Sequence, residues 1–193
     1  MFDKLKSLFR VKEQQDFRNL FTDPPISYAD EFPNIPKPDP EFSPQILAAR
    51  WVTHDLYGED MPSIAAAMLD SGYDSPALRR LAGEMRVECS ADVENLVGRL
   101  FREHGVPYPI SEMHANLIFS RQIAREVIAG KRNAWAAASN LTIAVWYRRP
   151  PNPDLQLIAG LLDSLNWDAV NHDQLPEMTM ELVGALARIG AEQ

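Results

Sequence analysis

The amino-acid sequence predicts an all-α protein: a compact bundle of about eight helices in two related halves, preceded by an N-terminal helix and a proline-rich extended arm. Three observations point there. Helix start and stop signals recur along the chain with unusual regularity. No run of alternating β-branched residues lies between turn dipeptides, so strands have no signal. Finally, Ser75–Gly83 reads S-P-A-L-R-R-L-A-G and Asn152–Gly160 reads N-P-D-L-Q-L-I-A-G, which suggests a helical unit used twice.

Taken in order, residues 1–21 form an amphipathic helix on paper. Phe2, Leu5, Leu8 and Phe9, then Phe17, Leu20 and Phe21, recur at three- and four-residue spacing, and Lys4, Lys6, Arg10 and Lys12 make the first half basic. Residues 22–43 form the arm. Seven prolines between Pro24 and Pro44 exclude a helix, because each removes a donor and fixes φ. Tyr28, Phe32, Ile35 and Phe42 are interspersed among them, so the expectation is an arm laid over a helical surface and held by those side chains. A disordered linker is the other reading.

The body is expected as one helical domain over 44–193. Ser43-Pro44 opens a helix running to about Tyr57 and stopped by Gly58. Asp60 caps the next, with Pro62 in its first turn and Gly72 beyond its end. Ser75-Pro76 starts a short helix ending near Gly83. A longer one follows from Ser90 to His104, stopped by Gly105 and Pro107. Ser111 caps a helix ended by Gly130, and Asn133 caps one continuing to about Tyr147. Asn152-Pro153 starts a helix through roughly Trp167, and Pro176 opens the last, ending at Gly190.

The repeat would pair about 44–84 with 116–161. Gly58 and Gly130 stand 72 residues apart, and the two Ala-Gly ends 77, so the second copy carries a five-residue insertion at the Arg148–Pro151 connection. Short amphipathic helices bury their apolar faces by stacking on neighbours, which is what repetition supplies. A cap followed by Pro-x-Leu is also a common way to begin any helix. The segment Gly72–Gly83, G-x-D-S-P-x-L-x-x-L-A-G, and the I-A-x-x-V-I-A-G spacing ending at Gly130 resemble small all-helical bacterial proteins of uncharacterised activity. That resemblance implies a fold type and carries no catalytic residue.

Composition narrows the chemistry. At 193 residues the chain can bury a sizeable core without a disulfide or metal. A net charge of −8 argues against a general nucleic-acid binder, which usually shows a basic face. The single cysteine, Cys89, precludes an internal disulfide and fits a reducing compartment. No signal peptide and no spanning apolar run is read, so the expected location is the cytoplasm, most simply of a bacterium. The nine glycines are isolated, which excludes a phosphate-cradling loop, so no cofactor is expected. His54, His104, His114 and His172 are scattered and Cys89 is alone, so no metal site is expected. Neither Glu103-His104 nor Glu112-Met113-His114 has the Glu-x-x-His spacing of di-iron bundles. Glu84, Glu88 and Asp92 would line up on one continuous helix, although such rows are usually solvated faces.

What remains is a non-enzymatic helical interaction module, adaptor- or immunity-like, with an unidentified protein partner. Trp51, Trp135 and Trp146 sit on helices in corresponding parts of the two halves; tryptophan is most often core, and the other reading is a groove for a peptide or helix. Tyr147, Arg148 and Arg149 would be its rim, or simply cations suiting a helix C-terminus. Phe2, Leu5 and Phe9 are the candidate contacts of the N-terminal helix, which could also mediate homo-oligomerisation through the arm. One alternative is an enzyme or small-ligand binder with a pocket between the two halves, using Glu84, Glu88 or His114. The other is a peripheral membrane protein anchored by residues 1–12, whose lysines ring an apolar stripe.

Overall fold

A computed structural model describes residues 19–148, 152–166 and 174–191, with backbone alone for 143–148 and 166. The chain is all-helical, and no strand occurs among the described residues. The helices are α1 (Pro44–Val52), α2 (Met61–Asp70), α3 (Pro76–Ala82), α4 (Ser90–Glu103), α5 (Glu112–Ile128), α6 (Ala134–Arg148), α7 (Pro153–Asn166) and α8 (Leu175–Ala191), with a 3₁₀ turn at Gly58–Asp60. Residues 19–22 are helical; the rest of the expected N-terminal helix lies outside the described residues.

Four of the expected caps bond through their side chains, while Ser43 precedes α1 without such a bond. Ser75 Oγ accepts from the Leu78 N–H at 3.2 Å, Ser111 Oγ from His114 at 3.3 Å and Asn133 Oδ1 from Ala136 at 2.9 Å. Asn152 Oδ1 accepts from both Asp154 and Leu155, at 2.9 and 3.1 Å. Asp60 departs from expectation. Its carboxylate accepts from the Tyr57 N–H at 2.9 Å and closes the 3₁₀ turn, and it makes no side-chain cap on α2.

The end of α1 also differs. The helix stops at Val52, well before Gly58. Asp55 N–H donates to Arg50 O at 2.9 Å and His54 N–H to Trp51 O at 3.2 Å, the two bonds of a Schellman end, with His54 left-handed at φ 59°. The same pair of bonds closes α2, α4 and α5, but there the left-handed residue is Gly72, Gly105 or Gly130. The stop was hidden because a histidine occupies a position that favours glycine. A side chain held in this region costs about 1 kcal/mol. His54→Gly is therefore expected to stabilise the chain by about 1 kcal/mol, read from the urea midpoint at unchanged m-value.

Two compact units emerge. The first is Asp39–Phe119. Its core is built from Leu47, Trp51, Met61, Met68, Leu78, Leu81 and the inner stripe of α4. That stripe, Val93, Leu96, Val97, Leu100 and Phe101, follows the helical period and is buried throughout. A smaller cluster joins Ile46 and Ala49 of α1 to Ala115 and Ile118 of α5.

The second unit comprises 120–191 together with 19–38. Buried residues include Ile123 and Val127 of α5, Trp135 and Leu141 of α6, Leu155 and Ile158 of α7, and Leu182 and Leu186 of α8. Arg125 Nε–H donates to Gly190 O at 3.0 Å, which ties α5 to the end of α8. Gln122 Nε2 donates to Glu126, which also pairs with Arg132 at 2.8 Å. The arm lies within this unit. It runs without helix from Asp23, and Tyr28, Phe32 and Ile35 are half-buried among exposed neighbours. Tyr28 N–H donates to Ile128 O at 2.9 Å, and Asn133 Nδ2 donates to Asp23 O at 3.1 Å. Phe42, the fourth expected anchor, packs on the core of the first unit.

The boundary at Phe119–Ser120 falls inside α5 and cuts across the expected body of 44–193. The paired sequence positions also differ locally. Gly58 belongs to a 3₁₀ turn while Gly130 ends a helix, and Gly83 follows α3 while Gly160 lies inside α7.

Candidate functional site

Polar groups of the G-x-D-S-P segment are engaged in holding the start of α3. Asp74 is ion-paired with Arg79 five residues on. Ser75 caps the helix, and Glu103, reaching across from the end of α4, accepts from the Ala77 N–H at 2.9 Å. Arg99 approaches Glu103 at 3.3 Å. The Ala77 amide, with the Ser75 hydroxyl and Arg99, holds the Glu103 carboxyl below its ordinary range despite partial burial. A depressed carboxyl stabilises the fold above its unfolded value and loses that contribution as pH falls through the folded one. Glu103→Gln is accordingly expected to cost about 1 kcal/mol near pH 7 and to narrow its gap from wild type as the solution is acidified below the ordinary carboxylate range, seen in paired melting curves. The motif carried by the resemblance thus has a structural task.

The acidic row does not form. Glu84 and Glu88 lie in the connection before α4, and only Asp92 is on the helix. Asp92 accepts from the Glu88 and Cys89 N–H groups at 2.9 and 3.0 Å, which closes a capping box and depresses its pKa. The histidines stay apart: His54 is exposed on the α1–α2 connection, His104 stacks edge-on against Tyr73 at 5.7 Å, and His114 is exposed in the first turn of α5. His172 lies outside the described residues. Among the described residues no three His, Cys, Asp or Glu are grouped to hold a metal ion.

The aromatic candidates divide. Trp51 is 8% exposed and Trp135 3%, so both rings belong to cores. Burial pushes the Tyr108 phenol above its usual value. The Trp135 indole N–H donates to Thr179 Oγ1 at 3.1 Å, the polar partner a buried tryptophan normally requires. Trp146, Tyr147 and Arg148 occupy the last turn of α6, described by backbone alone. Phe2, Leu5, Phe9 and Arg149 lie outside the described residues.

Exposed apolar side chains occur elsewhere, where sequence reasoning named nothing. Met85 is 95% exposed and Tyr57 55%. One contact joins the turn that follows Tyr57 to the start of α4. Gly58, next to Tyr57, donates its N–H to Ser90 Oγ at 2.9 Å, at the start of α4. Met85 lies on the short connection leading into that start, and exposed Cys89 lies between. Glu59 and Asp60 of the turn, Glu88 and Asp92 around the start of α4, and Arg86 of the connection are exposed. No helix among the described residues is long and apolar enough to cross a membrane.

No protein-family model matches this chain, and neither a curated protein nor a solved structure matches it.

Proposed function

We propose that this chain is a cytoplasmic, non-enzymatic helical protein–protein interaction module, in an adaptor- or immunity-like role. The observation that carries the reading is the exposure of Tyr57 and Met85, two large side chains left in water at 55% and 95%. A methionine gains nothing from full hydration and contributes strongly when a partner covers it. The ionised side chains nearby point the same way. Asp60 and Asp92 already accept backbone hydrogen bonds.

The test is affinity capture from the native host with the full chain against Tyr57→Glu with Met85→Glu. The arm is unsuitable for truncation, since removing 19–38 strips packing from the 120–191 unit. A stoichiometric protein lost with the double variant is the expected result. Enzymatic turnover that vanishes on replacing one polar residue would sink the reading.

A further inference from the structure

We propose that Met85 is a reversible oxidation site, whose sulfoxide withdraws an apolar contact from the protein surface while leaving the fold intact. The regulatory half of this inference rests on the interaction reading above.

The methionines of the chain differ sharply in access. Met61 and Met68 are fully buried in the core of the 39–119 unit. Met85, Met113 and Met180 are exposed, at 95%, 63% and 50%. Oxidation of a thioether follows access, because the sulfur lone pair must meet the oxidant directly. Met85 therefore heads the order among the described residues.

Its exposure is built into the backbone. The Glu84 N–H donates to Leu81 O at 3.1 Å, which holds the chain as it leaves α3. The Glu88 N–H donates to Asp92 Oδ2 at 2.9 Å, which holds it as it enters α4. Between them, Val87 packs on the core. The connection is thus secured on both sides of Met85, and Met85 still stands in water. A side chain without a packing role can change polarity at little cost to the fold. The same change at Met61 or Met68 would force a polar oxygen into an apolar interior.

A peroxide is the class of oxidant. The Met85 sulfur lone pair attacks one peroxide oxygen, the O–O bond breaks and an S–O bond forms. Sulfur gives up two electrons, and the departing hydroxide takes the proton from the new S–OH group and leaves as water. A dithiol-dependent methionine sulfoxide reductase reverses the step: the oxygen departs as water and the dithiol becomes a disulfide. The sulfoxide is polar, so a partner that covers it must strip water from it, and docking weakens.

The test begins with the full native chain in hydrogen peroxide, sampled over time and read by peptide mass spectrometry. Met85 sulfoxide is expected first, ahead of Met113 and Met180, with Met61 and Met68 at least about tenfold slower. While Met85 alone is oxidised, the urea midpoint should stay at the reduced value. Capture from the native host then compares reduced, oxidised and reductase-repaired chains. The bound protein is expected to fall about tenfold on oxidation and to return on repair. Met85→Leu should capture like the reduced chain and lose nothing in peroxide. Exposed Cys89 is intact in that variant, so a loss that persists there belongs to another sulfur and overturns the proposal. Sulfoxide accumulating first at Met113 or Met180 overturns it too, as does a lowered urea midpoint. Equal capture before and after oxidation removes the switch and leaves the interaction module standing. A reduced chain that captures nothing removes the interaction reading and the switch together.

Discussion

Gly58→Ala lowers stability by about 3 kcal/mol, the upper range for forcing an extra carbon into a packed site. A Cβ built on Gly58 falls 2.6 Å from Ser90 Cα and 2.8 Å from both Ser90 N and Cys89 O. All three are backbone atoms, so no side chain can swing aside. Relief requires the 3₁₀ turn to lift from α4, which breaks the Gly58 N–H bond to Ser90 Oγ. Gly160→Ala is the matched control. Gly160 is inside α7 with nothing within 4 Å of its would-be Cβ. There alanine is expected to stabilise by about 0.5–1 kcal/mol through helix propensity. Urea denaturation of the two variants beside wild type should move in opposite directions; equal shifts would mean the approach of turn and helix is looser than described.

The second large effect belongs to Gly130→Ala. Here two penalties combine. The residue is left-handed at φ 69°, which costs an alanine about 1–2 kcal/mol. Its Cβ would also stand 2.9 Å from Ser27 Cα and Cβ and 3.0 Å from Ser27 N. The arm must yield, and the nearest bond to fail is Tyr28 N–H to Ile128 O. A loss of about 3 kcal/mol is expected, with faster amide exchange at Tyr28 and faster proteolysis within 22–38. Gly72→Ala separates the two causes. It has a φ of 90° but open space around it, so only the conformational cost of about 1 kcal/mol should appear.

These positions show which parts of the fold were legible in the sequence. Caps were, because Ser75, Ser111, Asn133 and Asn152 act within three residues of themselves and their side chains need no tertiary help. The arm's Tyr28, Phe32 and Ile35 were legible for a similar reason, since aromatic and branched residues amid prolines need something to lie on. The end of α1 was not, because His54 carries no signal for a left-handed conformation that its own neighbours impose. Gly58 was misread for the opposite reason: it is a glycine kept for contact with residues more than thirty positions away. Nor did the spacing of Glu84, Glu88 and Asp92 reveal that the helix begins only at Ser90. Trp51 and Trp135 had two readings on paper, and burial places them in cores. The approach of Gly58 to the start of α4 is a tertiary contact, which no local pattern encodes.

The arm has one consequence for how the protein is made. Tyr28 bonds the end of α5 a hundred residues later, and Ile35 lies 3.3 Å from the position a Gly190 Cβ would take. Residues 39–119 form their contacts from one uninterrupted stretch and can condense as soon as that stretch leaves the ribosome. The arm emerges earlier, yet its seat is complete only when α8 has been synthesised. During translation these earlier-made residues therefore wait, with Phe32 and Ile35 in water, while the segment behind them folds. The N-terminal strap is among the last pieces to close, and the delay is set by sequence separation rather than by its own length.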